Sequence, residues 1–108
     1  MQQQQAALAN NLQQRKSAEA TIAQRQAAIG DAMAQAAKAK ADLGRNQALV
    51  NDGSVSRREL DLARASEAAA VASLAQARAA LEIARQDRET VVVNRAALQA
   101  RWRMPRRP

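Results

Sequence analysis

One cluster of turn-forming residues, Asn51-Asp52-Gly53-Ser54-Val55, separates two long stretches that carry no comparable signal. From Gln2 to Asn51 there is no proline, and the only glycines are Gly30 and Gly44; after Gly53 no glycine recurs, and the first proline is Pro105. Glycine costs a helix interior about 1 kcal/mol and proline about 3 kcal/mol relative to alanine, so each side of the cluster can run as one helix. The chain must double back at its single punctuation mark.

Hydrophobic periodicity supports two helices that face each other. In the first half, Leu8, Ile22, Ile29, Leu43 and Val50 share one heptad position, which Ala36 also fills and Arg15 interrupts. Leu12 and Met33, four residues on, are expected to supply the neighbouring stripe. In the second half, Leu60, Leu74 and Leu81 share one position, and Ala63, Ala70, Ala77, Ala84, Val91 and Leu98 fall three residues later. Glu67, Arg88 and Arg95 interrupt the leucine stripe and mark weaker stretches.

Composition decides what kind of object these helices build. The chain is 47% hydrophobic, yet it has one Trp and no Phe, Tyr or Cys, so most of the apolar share is alanine. Apolar burial stabilises by roughly 25 cal/mol per Å², and alanine offers little area, which leaves a compact globule short of core. Small residues let two backbones approach closely and favour a narrow antiparallel pair. The expected fold is therefore all-α, a long antiparallel two-helix coiled-coil hairpin. Helix is expected over about 2–51, turn over 52–55, and helix again from about 56 or 57 to 100, with no strand. Each arm of 45 to 50 residues would run roughly 70 Å at about 1.5 Å per residue.

The start of the second helix carries several signals at once. Gly53 suits the left-handed position that ends the first helix. Ser56-Arg57-Arg58-Glu59 reads as a capping box with Ser56 as N-cap, and Val55 with Leu60 reads as a hydrophobic staple.

Function classes narrow in the same way. With no His and no Cys, the usual ligands for zinc, copper or iron are missing, as are the commonest nucleophile and general base. No enzyme, no cofactor and no metal site are expected. The formal charge is +7, but Arg101, Arg103, Arg106 and Arg107 crowd the end of the chain. Residues 101–108, with Trp102, Pro105 and Pro108, break the alanine-rich pattern and read as a basic tail of vector-derived character, outside the 1–100 hairpin. Elsewhere basic residues are interleaved with acids and no aromatic stacking platform exists, so nucleic-acid binding is not expected. No apolar run approaches the roughly 20 residues needed to span a bilayer, and the seam is too thin for a surface-lying membrane helix. No membrane insertion is expected.

A rod that turns once presents its turn as a docking surface. Arg45 and Leu49, four apart, share a face of the last turns of the first helix, and Ser56 stands across the turn. Arg, then Leu four on, then Ser seven further on resembles the Arg-Leu-Ser tip motif of periplasmic adaptors, the membrane fusion proteins of tripartite efflux pumps. The text from Leu49 through Val50-Asn51-Asp52-Gly53-Ser54-Val55-Ser56-Arg57-Arg58-Glu59-Leu60 to Asp61, followed by alanine-rich heptads, is similar to the hairpin of EmrA and HlyD type adaptors, over roughly residues 1–100. No lipoyl half-motif, β-barrel or membrane anchor is found on either side, so the chain reads as the hairpin of a longer adaptor.

The resemblance implies a non-catalytic structural adaptor in the periplasm of a Gram-negative bacterium. Its tip would meet a TolC-like outer-membrane channel, while other domains of the adaptor would grip an inner-membrane transporter. Hairpins side by side would self-associate into a tube. The implied partner-binding residues are Arg45, Leu49 and Ser56, with Arg57 and Arg58 as additional tip contacts.

Each of these residues also has a local reading. Ser56 is justified by capping alone, at about 1 kcal/mol. Leu49 can be a seam residue beside Val50, and Arg45 is favoured near a helix C-terminus by the macrodipole. Arg57 and Arg58 oppose the dipole in the first turn of a helix, by roughly 0.3 to 1 kcal/mol. Either an acidic or carbonyl-rich partner answers them, or Asp52, Glu59 and Asp61 neutralise them in place. A generic coiled-coil spacer remains the alternative to the adaptor reading, and it leaves the Arg, Leu and Ser spacing to chance.

Overall fold

In a computed structural model of the chain, residues 2–103 are described, with side chains as far as Arg101. Two helices account for nearly all of it: α1 spans Gln2–Asn51 and α2 spans Arg57–Arg103. Among the described residues there is no strand, and the fold is the all-α helical hairpin. α2 runs into the start of the basic tail, through Arg103. The remainder of the tail, with Arg106 and Arg107, lies outside the described residues, as do the side chains of Trp102 and Arg103. Among the described residues no helix is long and apolar enough to cross a membrane.

Contacts divide the chain into two compact units, Arg25–Ala80, which holds the turn, and Met1–Gln24 with Leu81–Pro108. In the turn-bearing unit, α1 contributes buried Ala32 and Ala39 and half-buried Ile29, Ala36, Leu43, Asn46 and Val50. α2 contributes buried Leu60, with Ala63, Ala70, Leu74 and Ala77 half-buried. These positions alternate steps of three and four along each helix, the spacing of a seam between paired helices. Glu67 keeps its place in that seam and is half-buried. A long side chain can do this by laying its methylenes along the partner while its charged end reaches water.

The second unit repeats the spacing with a more polar filling. Ile22, Leu81 and Ala84 are buried, Leu8, Ala18, Val91 and Leu98 are half-buried, and Arg15, Arg88 and Arg95 occupy seam positions half-buried. Arg15 Nε lies 3.5 Å from Glu19 Oε1 on the next turn of its own helix. Asn11 is buried in the seam at 4% exposure. Its Nδ2 donates to the Val91 carbonyl of α2 at 3.2 Å, while its Oδ1 is buried without a partner.

One expectation about α1 is corrected. Leu12 and Met33 do not form the second stripe; they are 44% and 51% exposed. The second stripe is instead Asn11, Ala18, Ala32, Ala39 and Asn46, one residue earlier. One residue is about 100° of rotation around a helix, so Leu12 and Met33 stand on the flank. Steps of three from Leu8, Arg15, Ile29, Ala36 and Leu43 place alanine and asparagine in the seam and leave the larger Leu12 and Met33 beside it.

Candidate docking tip

The turn is held by backbone geometry. Gly53 has φ +75°, the left-handed conformation that residues with a Cβ rarely adopt. Its N–H donates to the Val50 carbonyl at 3.0 Å, and the Ser54 N–H donates to the Leu49 carbonyl at 2.8 Å. Paired in this way, the two bonds make a Schellman closure, which satisfies carbonyls that the end of α1 would otherwise leave unpaired. The Asp52 N–H adds a bond to the Ala48 carbonyl at 3.3 Å.

Three residues later α2 begins on Ser56. Its Oγ accepts from the Glu59 N–H at 3.2 Å, and its carbonyl accepts from the Leu60 N–H at 3.2 Å. Ser56 is thus the N-cap. The capping box is only half made, since no hydrogen bond runs back from the Ser56 N–H to the Glu59 side chain among the described residues. Glu59 is solvent-exposed, where water competes for its carboxylate. Val55 is half-buried and Leu60 is 8% exposed, the environment a staple needs at both ends.

The candidate docking residues surround this frame. Arg45 is exposed, and its guanidinium lies 3.6 Å from Asp42 Oδ1, one turn back; the two side chains are 69% and 42% exposed. An exposed pair of this kind stabilises by roughly 0.2 to 1 kcal/mol, so Arg45 can exchange Asp42 for another acceptor at small cost. The Asp42 carbonyl also accepts from Asn46 Nδ2 at 2.9 Å, which returns that half-buried amide to its own helix. Leu49 is half-buried, as is Val50 beside it. In a Schellman closure the residue after the left-handed one often packs an apolar side chain on the position Leu49 holds; here that residue is Ser54, which supplies none.

Arg57 and Arg58 open α2 and are both exposed. Asp61, one of the carboxylates expected to neutralise them, lies instead 3.8 Å from Arg64. Among the described residues neither Arg57 nor Arg58 has a carboxylate within ion-pairing distance. Sequence reasoning did not find three polar features of the hairpin: the Asp42 partner of Arg45, the Arg64 partner of Asp61, and the buried Asn11. A signal for the first two was present, as acids and arginines three apart on one helix, a spacing that brings side chains together.

Residues 14–89 match the family model of the RND membrane fusion protein α-helical hairpin domain. The chain belongs to that family. Its members are periplasmic adaptors of Gram-negative bacteria that work with outer-membrane channels and inner-membrane transporters, and they are structural proteins, not a class of enzyme. The matched span contains the whole tip, from Arg45 to Arg58. The tip sequence resembles the EmrA and HlyD type, whereas the matching model is that of the RND hairpin; both are hairpins of membrane fusion proteins. Among curated proteins and among solved structures, none matches the chain.

Proposed function

We propose that this hairpin is the channel-docking element of a periplasmic adaptor in a tripartite multidrug efflux or secretion pump. Its tip docks onto a TolC-like outer-membrane channel, and other domains of such an adaptor bridge to the inner-membrane transporter. The observation that carries the reading is the tip itself: Arg45 and Leu49 sit in the last turns of α1 while a Schellman closure at Gly53 and a Ser56 cap fix the turn between them and α2. Leu49 acts as an apolar knob. Arg45, leaving Asp42, donates hydrogen bonds to helix-end carbonyls or carboxylates of the channel, a charge-assisted contact. Ser56 holds the turn.

The test places Arg45→Ala and Leu49→Ala separately in the adaptor carrying this hairpin, and reads drug susceptibility beside circular dichroism of the hairpin. Both variants are expected to lose export with helicity kept, because neither side chain closes the turn. Export that persists in both at normal protein levels would leave the hairpin a coiled-coil spacer with a well-made turn.

A further inference from the structure

Two cations open α2 where local electrostatics disfavours them. The unpaired N–H groups at a helix start carry partial positive charge, so Arg57 and Arg58 raise the energy of the helix they begin. Glu59, in the same first turn, offsets part of this cost, but no carboxylate pairs with either arginine among the described residues. Asp42 lies against Arg45 and Asp61 against Arg64, while Asp52 and Glu59 make no ion pair among the described residues. Both arginines are exposed. Among the described residues, no ion pair within the tip accounts for two guanidiniums at this place.

We infer that Arg57 and Arg58 form a cationic recognition surface for a carboxylate-rich protein face, the end of the outer-membrane channel that the tip meets. The inference rests on the docking reading above and adds the chemistry of the partner surface. Charge complementarity selects the occupant: each guanidinium presents a planar fork of donors that fits a carboxylate. Because both residues are solvent-exposed at the rim of the turn, their contribution falls on the rate of encounter and on its salt dependence more than on the lifetime of the docked state. Arg45 and Leu49 govern that lifetime.

The experiment measures binding of the whole chain to a purified TolC-like channel, as association rate against ionic strength, for the unaltered protein, Arg57→Ala/Arg58→Ala, Arg57→Glu/Arg58→Glu, and Arg57→Lys/Arg58→Lys. At low salt the glutamate pair is expected to associate at least about tenfold more slowly, with the difference fading as salt screens the charges. The alanine pair is intermediate and the lysine pair close to the unaltered chain. The alanine pair should also melt no lower than the unaltered chain, because it removes cations from a helix start; a purely structural role would lower its midpoint. Equal rates and salt slopes for the unaltered and alanine chains overturn the inference and leave docking intact. Equivalent, substitution-sensitive retention on vesicles containing phosphatidylglycerol also overturns it, assigning the patch to a membrane surface. If the unaltered chain fails to bind the channel at any salt, the docking reading falls and takes this inference with it.

Discussion

Substituting each glycine by alanine should change stability with opposite signs at the tip and in the helix. All three glycines lie in the Arg25–Ala80 unit, so one denaturation experiment compares them. A Cβ built at Gly30, Gly44 or Gly53 meets nothing within 4 Å, which removes steric clash from the comparison and leaves backbone preference alone. At Gly30 and Gly44 the backbone is helical, and alanine should stabilise by roughly 0.5 to 1 kcal/mol at each. At Gly53 the φ of +75° holds the Schellman bonds in place. An L-residue there costs about 1 to 2 kcal/mol, offset by about 0.4 to 1 kcal/mol through a less free unfolded chain. The net expectation is a loss near 1 kcal/mol, so the tip and helix variants should differ by about 2 kcal/mol, or roughly 8 °C or more in midpoint. Urea unfolding followed by circular dichroism measures this, with the slope of the transition confirming that the same surface unfolds. Gly53→Ala as stable as the unaltered chain, or Gly30→Ala and Gly44→Ala both less stable, would refute the assignment of the turn strain.

Three further outcomes are expected. Ser56→Ala should destabilise by about 1 kcal/mol, while Ser56→Asp, which keeps an acceptor for the Glu59 N–H, should stay near the unaltered stability; thermal melts separate the two. Asn11→Leu should raise stability by removing a buried amide whose Oδ1 has no partner, yet it should broaden the distance distribution between spin labels at Leu12 and Val92, because the one cross-helix side-chain bond among the described residues is lost. Self-association should appear in sedimentation equilibrium at high concentration, driven by exposed apolar residues such as Leu62 and Ile83, which are 62% and 60% exposed; strict monomers at millimolar protein would count against it.

The parts of the fold legible in the sequence are those set by local chemistry. Asn51-Asp52-Gly53-Ser54 announces a turn because only one glycine stands where a left-handed residue is required, and Ser56 announces a helix start through its hydroxyl. The α2 seam was legible because leucine and alanine alternate there without a competing stripe. In α1 the first stripe, Leu8, Ile22, Ile29, Ala36, Leu43 and Val50, was legible in the same way, and only the second was not. Leu12 and Met33 are the larger apolar residues, and hydrophobicity alone ranks them above Asn11 and Ala32; the alternation of three and four along the seam reverses that ranking. Asn11 could have been read as a polar residue at a seam position, the kind that fixes register in coiled coils, but only once the correct stripe was known. Ion pairs such as Arg45 with Asp42 depend on rotamers, which spacing permits without selecting.

The tip also separates two duties that a docking surface could easily have merged. An alanine seam stabilises weakly per residue, so a tip whose docking side chains also held the fold together could not be altered without unfolding the end of the hairpin. Here the fold is held by main-chain bonds at Leu49, Val50 and Gly53 and by the Ser56 hydroxyl. Those interactions use the Leu49 carbonyl and not its side chain, and they use no atom of Arg45, Arg57 or Arg58 beyond the helices' own ladders. The exposed pair between Arg45 and Asp42 contributes little, and the two arginines of α2 are locally unfavourable. Side chains that add so little to the hairpin, at the place where it turns, are available to a partner, and their substitution should alter recognition while the turn beneath them stays closed.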